Sequence, residues 1–187
     1  MNYLEITLIS LGLAMDAFAV SVCKGLAMKE NNIKKALIIG AYFGIFQAIM
    51  PVIGYFLGAS FASLISKLDH WVAFILLVSI GLNMIKEVFS KDDEYSENTN
   101  FKEMVILAIA TSIDALVCGI TFASLKTNIA LASISIGVIT FILSVIGVVI
   151  GKKFGIKLKN KSQILGGVIL ILLGIKILLE HLGIIQF

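Results

Sequence analysis

The sequence predicts an all-α integral membrane protein with six transmembrane helices, arranged as two inverted repeats of three helices each. Three observations lead to this prediction. First, 59% of the 187 residues are hydrophobic and the mean hydropathy is +1.03, well above the range of soluble globular chains. Second, the apolar residues fall into six long segments. Third, the second half of the chain repeats motifs of the first half in the same order.

Each apolar segment is long enough to cross a membrane, since about 30 Å of hydrocarbon requires roughly 20 apolar residues in a helix. The six segments take up most of the chain, so we expect no soluble domain. The first span is not expected to be a cleaved signal peptide, because no Lys or Arg precedes it and Asp16 interrupts its apolar run. The predicted spans are residues 3–23, 36–58, 70–90, 104–125, 129–151 and 163–185.

The internal repeat is clearest around two aspartates. The stretch AMDAFAV at 14–20 aligns with SIDALVC at 112–118, which places Asp16 opposite Asp114. Further along, Gln47 falls on Thr140, and the stretch GLNMIKE at 81–87 falls on GIKILLE at 174–180. A repeat of three spans must enter the membrane in the opposite sense the second time, which is the inverted-repeat topology of many secondary transporters.

The repeat also predicts the domain organisation and the orientation. Residues 1–90 form the first three-helix unit, 91–103 a polar cytoplasmic linker, and 104–187 the second unit. All fifteen basic residues are lysines, and they concentrate after the first, third and fifth spans. By the positive-inside rule these loops are cytoplasmic, so both termini are predicted to be extracytoplasmic. Topology and contact with lipid headgroups account for the lysines, and nothing favours a nucleic-acid partner.

The two intramembrane aspartates are the candidate functional residues. An ionised carboxylate at bilayer depth costs at least about 2.5–3.5 kcal/mol, so it needs a counter-charge. No intramembrane Lys offers itself as an evident partner, which favours a bound cation or a shared proton. The predicted donors are mostly oxygen atoms and suit a hard divalent ion such as Mn²⁺, Mg²⁺ or Ca²⁺, although Cys23 and Cys118 leave softer metals open. The predicted metal site comprises Asp16, Asp114, Gln47, Thr140, Asn83 and Glu87.

Other function classes receive less support from the residues. There is no complete nucleotide-binding loop and no H-E-x-x-H zinc motif, so we expect neither an enzyme nor a bound cofactor. An intramembrane aspartyl protease, with two aspartates sharing one proton, is the sharpest enzymatic alternative. A membrane assembly protein that transports nothing, in which the acids only set helix register, is the structural alternative.

Four motifs, LGLAMDAFAVSVCKG, YFGIFQAIMPVIGYFLG, DHWVAFILLVSIGLNMIKE and ATSIDALVCGITFA, closely resemble the bacterial manganese efflux pump family known as MntP. The resemblance implies a six-helix exporter of Mn²⁺ in the bacterial inner membrane, with Asp16 and Asp114 needed for transport. At Gln47 some relatives have Glu. Without a nucleotide site we expect secondary transport driven by proton or sodium antiport, and exchange of Mn²⁺ for protons is our hypothesis. An exporter of another cation, such as Cd²⁺ or a basic amino acid, is the alternative on the same scaffold.

Overall fold

The computed structural model describes residues 3–28, 33–57, 71, 74–75, 77–82, 85–86, 101–158 and 161–181. Within these ranges the regular structure is entirely helical, which confirms the predicted all-α class. Residues 77–82 are helical as well. Six helices have defined bounds: α1 (Tyr3–Ala27), α2 (Ile33–Leu57), α3 (Phe101–Ala110), α4 (Ile113–Ser124), α5 (Ile129–Leu158) and α6 (Lys161–His181).

Three helices are long and apolar enough to cross a membrane, namely α1, α2 and residues Ile129–Gly155 of α5. Both α1 and α5 extend beyond the predicted spans at their carboxyl ends. The apolar part of α6, Ile164–Lys176, is shorter. Ten of the 21 residues of the predicted third span, and residues 91–100 of the linker, lie outside the described residues.

The predicted span at 104–125 is not a single straight helix, which corrects the expectation. It consists of α3 and α4, which meet at an angle of 44°. Thr111 and Ser112 form the break: their hydroxyl groups donate to the carbonyls of Leu107, at 3.0 Å, and Ala108, at 2.6 Å. Back-bonding of this kind gives a helix backbone an alternative to its regular ladder and often bends it. The break therefore comes directly before Asp114.

Close packing of small residues holds α1, α2, α4 and α5 together. A Cβ on Gly44 would lie 2.9 Å from the carbonyl oxygen of Gly137, and a Cβ on Gly137 would lie 3.0 Å from that of Gly44. In the same way Gly54 of α2 rests on the carbonyl of Leu116 in α4, while Gly147 of α5 rests on that of Phe18 in α1. Backbones that approach this closely are typical of helix pairs in membranes.

Two buried apolar clusters lie on either side of the aspartates along the chain. The Cys23 cluster includes Ala17, Val20, Cys23, Ile39, Phe43, Met104, Leu107 and Ala108. The Phe122 cluster consists of Ile6, Leu13, Ala115, Phe122, Ala132 and Ile136. Asp16 follows Leu13 of one cluster and precedes Ala17 of the other, and Asp114 likewise lies between Ala108 and Ala115. The acids therefore occupy a layer between two apolar clusters.

The outer surface is apolar. One face of α5 exposes large aliphatic side chains at regular helical spacing: Ile134, Val138, Ile142, Ile146 and Val149. An exposed apolar surface of this extent is what lipid contact requires and is unusual for a soluble monomer. Cys23 and Cys118 are both free thiols, and Cys23 is fully buried, as expected of a small packing residue.

Candidate functional site

The structure describes four of the six predicted site residues. Gln47 and Thr140 are fully buried, and Asp16 and Asp114 are half-buried. Asn83 and Glu87 lie outside the described residues. Gln47 contacts the backbone next to both aspartates, so its position defines the site geometry.

The side-chain amide of Gln47 joins the two helices that carry the aspartates. Its Nε2 donates to the carbonyl oxygen of Leu13 in α1, at 3.0 Å. It also donates to the carbonyl oxygen of Thr111 at the helix break, at 2.9 Å. Leu13 and Thr111 each lie three residues before an aspartate, so one amide group holds the two equivalent backbone positions together.

Asp114 begins α4. Its Oδ1 accepts a hydrogen bond from the backbone N–H of Ala115, at 2.8 Å, in the first turn of a twelve-residue helix. The amino end of a helix carries a partial positive charge, which attracts an anionic group. The break at Thr111 and Ser112 creates this helix end at the level of the site. Asp16 lies within continuous helix and has an interaction partner of its own.

Three buried oxygen atoms on α2 and α5 have no hydrogen-bond partner among the described residues: Gln47 Oε1, Thr140 Oγ1 and Ser144 Oγ. Buried polar atoms in folded proteins nearly always have a partner, from the protein, a water molecule or an ion. Pro51 adds another oxygen, because it has no N–H to donate to the carbonyl of Gln47 one turn earlier. The layer is therefore rich in neutral oxygen atoms.

The described residues contain no group of three His, Cys, Asp or Glu side chains close enough to share a metal ion. A cation bound among the described residues would therefore have at most two such side chains as ligands and would need neutral oxygen atoms as well. Sequence reasoning missed the helix break and the two carbonyls that bind Gln47. The adjacent Thr111 and Ser112, just before Asp114, are the sequence signal that could have revealed the break.

Comparison with known proteins identifies the family. Residues 30–178 match the family model described as "Putative manganese efflux pump". The chain belongs to the MntP family. A relative from Desulfitobacterium hafniense is 55% identical, with 98% of this chain and 97% of the relative covered. A relative from Campylobacter jejuni is 55% identical, with 97% of this chain and 98% of the relative covered. A relative from Methanobrevibacter smithii is 50% identical, with 96% of this chain and 98% of the relative covered. All three carry the name "Putative manganese efflux pump MntP". No solved structure matches the chain.

Membership of the MntP family agrees with the resemblance noted in the motifs. Together with the apolar helices it identifies the chain as a multi-pass membrane protein. The family is one of pumps, which confirms that the chain is not an enzyme.

We predict that Gln47→Leu destabilises the protein by about 1–3 kcal/mol, because it removes both hydrogen bonds and leaves the Thr111 carbonyl at the break without its donor. Thermal unfolding of the purified protein in detergent measures the effect. Thr140→Val is the matched control, since it removes a buried hydroxyl that has no described partner. It should leave the melting temperature unchanged or raise it. Equal melting temperatures for the wild type and Gln47→Leu would contradict the assigned role.

Proposed function

We propose that this chain exports Mn²⁺ from the cytoplasm across the inner membrane, with Asp16 and Asp114 as the anionic ligands of the ion. The observation that carries the proposal is the Gln47 amide, which holds together the backbone positions preceding both acids. The names of the MntP relatives support Mn²⁺ as the substrate.

The proposed architecture is six transmembrane helices in two inverted repeats, residues 1–90 and 104–187, joined by a linker at 91–103. Matched contacts support it. Gly54 packs on Leu116, and Gly147 packs on Phe18. In the alignment that pairs Asp16 with Asp114, these two contacts are equivalent. Gly44 and Gly137 are equivalent too, and they pack on each other, as residues near a pseudo-twofold axis would.

The proposed ligand set combines charged and neutral oxygen atoms. Asp16 and Asp114 neutralise the ion, and Gln47 Oε1 and Thr140 Oγ1 add neutral donors from the middle helix of each repeat. Asn83 and Glu87 are proposed to complete the site from the third helix. Oxygen ligands suit Mn²⁺, which prefers carboxylate, carbonyl and water donors. The buried, unpartnered state of the Gln47 and Thr140 oxygen atoms supports their inclusion.

Energetics require a driving ion. Moving a divalent cation outward against an inside-negative potential costs about 4.6 kcal/mol per 100 mV, twice the value for a single charge. We propose proton antiport in which each aspartate takes up one proton as Mn²⁺ leaves. Two protons entering for one Mn²⁺ leaving is electrically neutral, so the membrane potential no longer opposes export.

The proposed orientation places both termini outside the cytoplasm. The concentration of lysines after the first, third and fifth spans supports it.

Reporter fusions at Phe187 test this orientation. Alkaline phosphatase fused there should be active, and a fluorescent protein exported through the general secretion route should be dark. The opposite pattern would reverse the orientation.

We predict that Asp16→Asn and Asp114→Asn each lower Mn²⁺ export by at least about tenfold, because loss of one anionic ligand weakens binding by at least about 1.4 kcal/mol. The measurement is cellular Mn content and growth in excess Mn²⁺, in an exporter-deficient bacterium at matched membrane levels. Glu5→Gln is the control, since it removes an exposed carboxylate from the same helix. Wild-type export by both Asn variants would reject the proposed ligands.

We predict that uptake into inside-out vesicles rises when the lumen is made acidic. Exchange of two protons supplies about 2.7 kcal/mol per pH unit, which sustains an Mn²⁺ gradient of about a hundredfold. A potassium-valinomycin clamp of the membrane potential should leave the rate unchanged, because the exchange is neutral. Vesicles with Asp114→Asn give the background. Uptake that ignores the pH gradient would refute proton coupling while leaving Mn²⁺ export itself intact.

A further inference from the structure

An ion pair connects α1, which carries Asp16, to α3, which precedes Asp114 in the chain. Lys24, in the last turn of α1, pairs with Glu103, in the first turn of α3. The Lys24 side chain is 13% exposed and that of Glu103 is 30% exposed, so the pair is only partly solvated. Lys24 lies about 12 Å beyond Asp16 along α1, at 1.5 Å per residue. The pair therefore lies at the lysine-rich end of the bundle, to one side of the acidic layer.

The lysine-rich end of α1 is also fixed to α5. Lys152 is 5% exposed, and its Nζ donates to the backbone carbonyl of Met28, just after α1. Gly25 of α1 packs directly on the carbonyl of Val148 in α5. These contacts, with the small residues farther along the same pair of helices, make α1 and α5 one packed unit.

The other partner of the ion pair belongs to a separate short element. α3 has ten residues and ends at the break at Thr111 and Ser112, where the chain bends by 44°. A helix broken on one side can tilt without disturbing the helix that follows. Of the two helices joined by the pair, α3 is therefore the one suited to move.

The ion pair borders an apolar cluster that closes off the acidic layer. Cys23 adjoins Lys24, and Met104 adjoins Glu103; both are fully buried in the Cys23 cluster. Ile39, Phe43 and Leu107 of the same cluster are also at most 1% exposed. Side chains buried to this degree are out of reach of water, and therefore of a hydrated cation, in this state.

We propose that Lys24 and Glu103 form a latch that holds a gate shut at the lysine-rich end. The gate itself is the part of the Cys23 cluster to which α1 contributes Cys23 and α3 contributes Met104, both fully buried. Opening breaks the ion pair and tilts α3 away from α1 about the break at Thr111 and Ser112, while α1 remains on α5. A cation then reaches Asp16 from this end. The latch controls a gate on the transport route, so this inference rests on the proposed function. The state of the latch can nevertheless be measured without Mn²⁺.

Cys23 provides the measurement, because a thiol reacts with a maleimide only when water and reagent reach it. We use the full chain with Cys118→Ser, in inside-out and right-side-out vesicles, and measure the labelling rate with a membrane-impermeant maleimide. Lys24→Met and Glu103→Gln should each raise labelling of Cys23 by about threefold to tenfold, from the lysine-rich side only. The exchanged pair, Lys24→Glu with Glu103→Lys, should return the rate toward that of the parent.

Lys102→Met is the matched control, since it removes an exposed charge next to Glu103 and should leave the rate unchanged. Elution of each variant as a single species in size exclusion identifies those that remain folded. The latch is overturned if both single variants label at the parental rate. It is also overturned if Lys102→Met raises labelling as much as they do, or if the exchanged pair labels as fast as the single variants. Mn²⁺ is absent throughout, so these labelling results do not depend on whether the protein exports Mn²⁺ in cells.

Discussion

The two hydrogen bonds from the Gln47 amide are the interaction on which the account of this protein depends. A carbonyl freed at a helix break within a membrane has no water to bind, and leaving it unpaired costs several kcal/mol. Gln47 supplies the missing donor to Thr111 and, with its second N–H, contacts the Leu13 carbonyl of α1. The break can therefore exist at this depth. The break in turn gives Asp114 the amino end of α4, where a carboxylate is stabilised.

The same amide has a consequence for cation binding. With both N–H groups directed at backbone carbonyls, Gln47 has only Oε1 left for another partner. A side chain fixed through its donors presents its acceptor in one orientation, which is the kind of preorganised neutral ligand a divalent ion requires. Thr140, with which Gln47 aligns in the sequence, has a buried hydroxyl with no hydrogen-bond partner among the described residues. In the proposed site, Gln47 would therefore be the more firmly oriented of the two neutral ligands.

Much of this arrangement is visible in the sequence, and the reasons for success and failure are physical. Apolar segments of membrane-spanning length predicted α1, α2 and α5, since lipid imposes one solution on such segments. The repeat predicted Asp16, Asp114, Gln47 and Thr140 as candidate functional positions. In the structure, Gln47 connects the two aspartates by bonding to the backbone three residues before each of them. The break at Thr111 was missed because hydropathy does not distinguish a bent helix from a straight one. The partners of Gln47 were missed because backbone carbonyls leave no mark on a sequence. The assignments of Asn83 and Glu87 stay predictions.

The central claim is that Asp16 and Asp114 bind Mn²⁺, and direct binding tests it most simply. The electron paramagnetic resonance signal of free aqueous Mn²⁺ falls as the ion is bound, so titration of the purified protein at neutral pH gives both stoichiometry and affinity. The account predicts about one Mn²⁺ per chain, with affinity reduced by at least about tenfold in Asp16→Asn and in Asp114→Asn. Equal titrations for the wild type and both variants would contradict it, and would place the ion elsewhere in the protein.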